Sequence, residues 1–278
     1  MSWDRREAAA RPKASKIAIG IRDAVCTIEL SDPPANAYSY EMMQEIDAAV
    51  LAARMDPGVQ VIVLRGAGEK FFCAGANIAM LKDADPDFKY YFCLHANETL
   101  NRLEQTPKLV IAALNGHTVG GGLEVALAAD IRVAKRDAGK IGLPEVALGL
   151  LPGTGGTQRL SRTVGKARAI ELMATGRLMS MDEAKSLGLV QEVWGDAELN
   201  GRSFADAVHE YARQFTPPHR ASRAVGRMKR AVQSGAEAGL GEGLALEREL
   251  QQLLFQSDDA REGLSANLEK RTPKFSGR

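Results

Sequence analysis

Apolar residues recur along the chain with two different periods, and their order predicts the first elements of an α/β fold. Two short alternating runs, 16–21 and 24–30, predict strands joined by a turn at Arg22-Asp23. Apolar residues at helical spacing then predict a helix from Ser39, its N-cap, to about Met55. The apolar stripe of this helix is formed by Met42, Met43, Ile46, Val50 and Leu51.

Alternation of strands and helices continues through the middle of the chain. A nearly continuous β-branched run at 59–65 predicts a strand that is buried on both faces. A loop with three glycines follows at 66–75, and Pro86 begins a helix that ends near Leu103. The next cycle contains a strand, a glycine-rich turn, a helix and a strand, at 109–114, 115–122, 123–129 and 131–134. This order favours an α/β fold over separate α and β domains.

The final quarter of the chain has a different pattern. A last strand is predicted at 189–193, and only helical periodicity follows from about Gly201. We therefore predict three regions: a loose tail at 1–15, an α/β core at 16–215, and a C-terminal helical region at 216–278 that contributes to oligomerisation and ligand contact.

Composition narrows the class of protein. The 278 residues carry 36 Lys plus Arg against 35 Asp plus Glu, a net charge of +1 that argues against nucleic acid as the main partner. The apolar runs are too short to span a membrane, and residues 1–15 lack the apolar core of a secretory signal. Three cysteines without a CxxC pair indicate free thiols, so a cytoplasmic protein is predicted. The four histidines have no metal-ligand spacing, which predicts no metal.

A basic stretch lies near the start of the helical region. It is formed by Arg220, Arg223, Arg227, Lys229 and Arg230. We interpret these residues as a solvated helix face, and the alternative is a surface that attracts phosphate or RNA.

The segment Asn115-Gly-His-Thr-Val-Gly-Gly-Gly-Leu-Glu124 carries the most chemical information. Its three consecutive glycines lie between a buried strand and a helix, where a ligand can approach the main chain closely. The first N–H groups of that helix have no partner within it, so they suit an anionic oxygen. Glu124 is either a functional carboxylate or a charge that caps the first helical turn, and local physics leaves both interpretations open.

Two further segments contain glycine beside candidate chemistry. Gly75, within 71–78, can expose backbone donors to a ligand. In Gly142-Leu-Pro-Glu145, the proline fixes the chain before Glu145. A rigid carboxylate among apolar neighbours would have a raised pKa and could exchange protons near neutral pH. The alternative is an exposed glutamate in a turn.

Taken together and in this order, these motifs resemble the enoyl-CoA hydratase/isomerase (crotonase) family. The resemblance covers about 17–270 and includes Pro152-Gly-Thr-Gly-Gly-Thr-Gln-Arg-Leu160 downstream of Glu145. It implies a crotonase-like spiral of ββα units, followed by C-terminal helices. It also implies a homotrimer or a homohexamer.

The resemblance implies an acyl-CoA thioester as the substrate, with its carbonyl oxygen between the N–H groups of Ala76 and Gly121. Family members that hydrate an enoyl-CoA resemble this chain in having both Glu124 and Glu145, whereas isomerases commonly retain only the second. Hydration is therefore the expected reaction, and Δ3,Δ2-enoyl-CoA isomerisation or another reaction of the family is the alternative; a non-catalytic RNA-binding relative is a third, less favoured interpretation. Coenzyme A enters as part of the substrate, and no separate cofactor is expected.

Further contacts follow from the same resemblance. Ala74, Ala76, Asn77 and Ile78 match the loop that contacts coenzyme A, although aspartate is more usual at the position of Asn77. Lys270 matches a lysine that reaches a CoA phosphate from a neighbouring subunit. Tyr38 stands where leucine is more usual, and it either shapes the acyl pocket or is a buried structural residue. His117 and Cys73 are expected to have structural roles.

Overall fold

A computed structural model describes residues 15–278. The predicted tail at 1–15 therefore lies outside the described residues, apart from Ser15. Within the described range, no helix is long and apolar enough to cross a membrane.

The larger of two sheets has six strands in the order β1–β2–β3–β5–β7–β9. These strands are Ile17–Arg22, Val25–Leu30, Val61–Gly66, Leu109–Leu114, Ile131–Lys135 and Glu192–Trp194, in that order. The first two strands are antiparallel and the others pair in parallel. The predicted hairpin is present, but its turn lies one residue later than predicted, at Asp23 and Ala24, which have φ angles of 49° and 63°. The strand predicted at 109–114 is observed with those bounds.

A second, three-stranded parallel sheet pairs β4 (Phe71–Cys73), β6 (His117–Val119) and β8 (Ile141–Gly142). The sequence predicted only loops at 66–75 and 115–122. This prediction was wrong for β4 and β6, which lie within those two segments. Strands of two or three residues are too short to show a period of two. Each of β3, β5 and β7 of the larger sheet is followed by one strand of the smaller sheet and then by helix, which is the predicted ββα spiral.

Within residues 15–278, twelve α-helices accompany the sheets. They are α1 to α12: Tyr40–Met55, Ile78–Lys82, Pro86–Glu104, Gly121–Leu127, Gly156–Val164, Lys166–Thr175, Met181–Ser186, Asp196–Leu199, Phe204–Arg213, Ser222–Ala236, Leu240–Phe255 and Asp258–Leu268. Ser39 caps α1 as predicted, since its side chain accepts a hydrogen bond from the Met42 N–H. The predicted stripe of α1 is buried except for Leu51, which is 39% exposed. The prediction was therefore wrong for Leu51, which lies at the edge of the buried face.

The larger sheet is covered on both faces, as its apolar strands require. One core packs it against α1, α3 and α4, and includes Ile28, Leu64 and Leu100. A second core packs its other face against α9, and includes Val63, Ile111 and Val208. Both faces of the sheet are therefore packed against helices, and this packing fixes the positions from which the loops after its parallel strands begin.

The basic stretch of α10 is not a uniform solvated face. Lys229 is buried and forms an ion pair with Asp130, at 2.8 Å between Nζ and Oδ2. Its ammonium also donates to the Lys108 carbonyl. Lys229 therefore fastens α10 to the sheet, whereas Arg220, Arg223 and Arg230 are exposed. The predicted boundary at 216 falls in the segment between α9 and α10.

Candidate active site

The first of two adjacent glycine turns follows β4. Tyr38 lies beside this turn: its N–H donates to the Gly75 carbonyl, and its carbonyl accepts from the Asn77 N–H, both at 2.9 Å. These two bonds leave the N–H of the intervening Ala76 without an acceptor among residues 15–278. Gly75 has a φ of 90°, a conformation that side chains other than glycine rarely adopt.

The second turn forms the start of α4. Gly120 is the N-cap of this helix with a φ of 55°, and Gly121 is its first residue. The N–H of a first helical residue has no acceptor within the helix. A Cβ atom on Gly75 would lie 2.9 Å from the amide nitrogen of Gly121, so the two turns are in contact. The predicted donor residues Ala76 and Gly121 are therefore brought close together.

Glu124 is only 2% exposed and lies in the first turn of α4. Its Oε1 atom accepts the backbone N–H groups of Thr154 at 2.8 Å and Gly156 at 2.7 Å. Its Oε2 atom accepts the Thr154 hydroxyl. These partners all lie outside α4, so the carboxylate does not cap its own helix. It is instead held rigidly against the loop that follows Pro152.

Glu145 begins a short 3-10 helix, Glu145–Leu148, and is half-buried. Burial raises the pKa of its carboxyl group from 4.5 to about 7. This value includes a smaller rise from the negative charge of Glu124, and it is opposed by a backbone hydrogen bond and by the Lys89 ammonium. Its Oε2 atom is buried and has no hydrogen-bond partner among the described residues. The raised pKa agrees with the expectation for a rigid carboxyl group at this position.

The two glutamates belong to one site. A Cβ atom on Gly120 would lie 3.1 Å from Oε1 of Glu145, so the Glu145 carboxyl group contacts the start of the helix that carries Glu124. Two titratable groups can serve as an acid and a base when their environments differ enough to separate their pKa values. Here Glu124 accepts three hydrogen bonds, while Glu145 has one buried oxygen without a partner.

Sequence reasoning missed two parts of this site. Thr154 and Gly156, which hold Glu124, were given no role, although the glycines around Thr154 are a signal that its backbone approaches another group closely. Tyr38 is buried, and its hydroxyl lies 3.2 Å from Oγ1 of Thr154. Nothing in the sequence pairs residues 38 and 154, because the contact exists only in the folded chain.

The residues predicted to contact coenzyme A lie in two parts of the fold, the start of α2 and the segment after α12. Asn77 caps α2, where its side chain accepts from the Met80 N–H at 3.1 Å. Ile78 is 57% exposed beside it. The Ala74 N–H donates to the Ala35 carbonyl. Lys270 is exposed after the end of α12, and within residues 15–278 no contact joins it to either glutamate.

Two other residues near the site have structural roles. Burial raises the pKa of the Cys73 thiol to about 12, so this group is not a thiolate nucleophile at neutral pH. His117 accepts the Lys140 N–H at its Nδ1 atom. Across residues 15–278, no group of three or more His, Cys, Asp or Glu side chains is placed to hold a metal ion.

Known proteins resemble this chain in sequence and in fold. The model of the enoyl-CoA hydratase/isomerase family matches residues 20–278. The short-chain-enoyl-CoA hydratase of Clostridium acetobutylicum is 37% identical over 248 residues, which cover 89% of this chain and 92% of that protein. The 2,3-dehydroadipyl-CoA hydratase of Escherichia coli is 35% identical over 271 residues, which cover 95% of this chain and 100% of that protein.

A solved structure gives the same result. The crystal structure of an enoyl-CoA hydratase from Geobacillus kaustophilus superposes with a TM-score of 0.90 at 45% identity, and the match covers 96% of this chain and 98% of that one. The family match, the curated relatives and the shared fold agree over nearly the whole chain. The chain therefore belongs to the enoyl-CoA hydratase/isomerase family and is an enzyme with the crotonase fold.

Proposed function

We propose that this enzyme is an enoyl-CoA hydratase, which adds water reversibly across the 2,3 double bond of a 2-enoyl-CoA thioester. The observation that carries the proposal is the presence of two carboxyl groups with different environments beside two unpaired backbone donors. Family membership supports the acyl-CoA substrate. The glutamate pair favours water as the second reactant.

In the proposed mechanism, the thioester oxygen binds between the N–H groups of Ala76 and Gly121. Negative charge develops on this oxygen when a nucleophile attacks C3, and the two donors stabilise the resulting enolate. A donor of this kind is typically worth about 3 kcal/mol in the transition state. Two observations support this step: the two turns are in contact, and among residues 15–278 neither N–H group has a hydrogen-bond acceptor.

The two glutamates divide the acid and base work. Glu124, held by three donors, serves as the carboxylate that orients and deprotonates the attacking water. Glu145 has a pKa of about 7, so at neutral pH a large fraction carries the proton that C2 requires. After proton transfer, Glu124 is protonated and Glu145 is ionised; before the next turnover Glu124 releases its proton to solvent and Glu145 takes one up from solvent.

Isomerisation of a 3-enoyl-CoA is the second candidate, because a proton shuttle at Glu145 alone could perform it. The half-buried position and raised pKa of Glu145 suit that reaction equally well. The burial of Glu124 against Thr154 and Gly156 favours hydration, since a second fixed carboxylate is needed only when water is bound and activated.

Coenzyme A is part of the substrate, and Ala74, Asn77, Ile78 and Lys270 contact it. We also propose a cytoplasmic homotrimer or homohexamer. Large apolar side chains exposed on α10, α11 and α12 support an interface there: Met228, Val232, Leu240, Leu244, Leu253, Phe255, Leu264 and Leu268.

The proposed reaction is tested by mixing the purified protein with a panel of short, long, branched and cyclic 2-enoyl-CoAs. Hydration is followed as the loss of absorbance from the conjugated enoyl thioester. We expect at least one member of the panel to be hydrated. No hydration of any member by a folded protein that still binds coenzyme A thioesters would refute the proposal.

A further inference from the structure

Tyr38 contacts all three components of the site: the Ala76 turn, Gly121, and the Thr154 loop that holds Glu124. Its side chain is 1% exposed and lies deep beneath the site, so direct contact with a substrate is not its role. The inference that follows rests on the proposed hydration.

The backbone of Tyr38 holds the first oxyanion donor. Its N–H and carbonyl bind the residues on either side of Ala76, Gly75 and Asn77, in a short parallel bridge. This pairing directs the Ala76 N–H away from the bridge.

The side chain of Tyr38 supports the second donor. A Cβ atom on Gly121 would overlap the Tyr38 hydroxyl and would come within 2.8 Å of its ring. The hydroxyl therefore fills the volume that a side chain at 121 would occupy. It packs directly against the residue whose N–H faces the thioester oxygen.

The same hydroxyl completes a hydrogen-bond chain to Glu124. The Thr154 hydroxyl has one hydrogen, and it donates that hydrogen to Oε2 of Glu124. In the 3.2 Å contact with Tyr38, Thr154 must then be the acceptor and Tyr38 the donor. Burial keeps Tyr38 in its protonated form, because it raises the pKa of the phenol well above 10.

We propose that Tyr38 is a positioning residue for hydration. Through Thr154 it fixes the orientation of the Glu124 carboxylate, and through Gly121 it fixes one oxyanion donor. The alternative is a core aromatic residue with only a packing role, which its ring contact with Phe92 at 6.0 Å between centroids would also satisfy.

Four variants separate these roles. Tyr38→Phe removes only the hydroxyl and keeps the ring, Thr154→Val removes the intermediate hydroxyl, and Thr154→Ser keeps it. The double variant Tyr38→Phe/Thr154→Val completes a thermodynamic cycle. Each is compared with wild type for kcat and KM in enoyl-CoA hydration, after circular dichroism has shown that it is folded.

We expect Tyr38→Phe to lower kcat about fivefold, the size of one hydrogen bond, with KM within twofold of wild type. Thr154→Val should lower kcat further, and Thr154→Ser should restore it. Because part of the Tyr38 effect passes through Thr154, the hydroxyl of Tyr38 should have a smaller effect on kcat in the Thr154→Val background than in wild type. The proposal would be overturned if Tyr38→Phe had the same kcat as wild type. It would also be overturned if removal of the Tyr38 hydroxyl lowered kcat equally in wild type and in Thr154→Val.

A second measurement does not depend on the reaction. Crystal structures of Tyr38→Phe and Thr154→Val should show the Glu124 carboxylate displaced or in two orientations. An unchanged carboxylate in both variants would overturn the positioning role even if the wild-type protein hydrated no enoyl-CoA. Failure of hydration by the wild type would instead contradict the proposed function.

Discussion

A side chain on Gly75 would begin 2.9 Å from the amide nitrogen of Gly121. The two turns that carry the proposed oxyanion donors are therefore so close that only glycine at position 75 leaves the Gly121 N–H open to a ligand. Gly75 also has a φ of 90°, so it is required for both backbone conformation and space.

Gly75→Ala should therefore abolish most activity, because the methyl group blocks the space beside the Gly121 N–H. Loss of one oxyanion donor predicts a kcat lower by about 100-fold or more. Gly68→Ala is the matched control: Gly68 has a φ of 75° in the same segment, but a Cβ atom there meets nothing within 4 Å. Both variants should lose about 1 kcal/mol of stability from backbone strain, and Gly75→Ala should lose more because its methyl group also meets the backbone at 2.9 Å. Equal activity of the two variants would contradict the assignment.

Hydration should depend on the protonation of Glu145. Since its pKa is about 7, kcat/KM should fall as the pH rises through that value and the acid loses its proton. The Lys89 ammonium lowers this pKa, so Lys89→Met should move the alkaline limb of the profile to higher pH. The pH profile of kcat/KM for both proteins measures the shift. A limb that stays in place would show that another group titrates.

The Glu145 carboxyl group should also lower the free energy of unfolding at neutral and higher pH. Its folded-state pKa of about 7 exceeds the ordinary 4.5, so the folded protein retains a proton that the unfolded chain releases. Stability is therefore lost as the pH rises from 4.5 to 7. Glu145→Gln should unfold with a free energy about 1 to 2 kcal/mol higher than wild type at pH 8, and nearly equal at pH 4.5. Glu98→Gln, on the exposed side of α3, is the control and should show no such difference.

The ion pair between Lys229 and Asp130 should be a major link between α10 and the core. Lys229→Met leaves the Asp130 carboxylate buried without its partner and should lower the free energy of unfolding by about 3 kcal/mol. Lys229→Met/Asp130→Asn should recover part of this loss. Arg230→Met, one residue further along the helix and exposed, should change stability little. Urea unfolding of the three variants tests the link.

The sequence predicted the long elements well because burial leaves a periodic pattern in them. The strand at 109–114 is apolar throughout and was predicted with its observed bounds. The strands Phe71–Cys73 and His117–Val119 were missed because three residues cannot display a period. Their position depends on pairing with each other across more than 40 residues of chain, which periodicity does not record.

The candidate site shows the same division. Glu124 and Glu145 could be selected because their motifs resemble a family, and the rigid setting of Glu145 correctly indicated a raised pKa. The hydrogen-bond chain from Tyr38 through Thr154 to Glu124 could not be predicted, because Tyr38 and Thr154 are 116 positions apart in the sequence. Lys229 was likewise assigned to a solvated face, since its partner Asp130 lies in a distant part of the chain.

In the proposed reaction, both glutamates act on one water molecule and one enoyl-CoA. The most direct test is the hydration of crotonyl-CoA, or of the best substrate in the panel, by wild type, Glu124→Gln and Glu145→Gln. We predict that each variant binds the thioester but loses roughly 100- to 10,000-fold in kcat. In a parallel assay with a 3-enoyl-CoA, any isomerisation should depend on Glu145 and largely survive Glu124→Gln. Hydration by Glu124→Gln within tenfold of wild type would contradict the account.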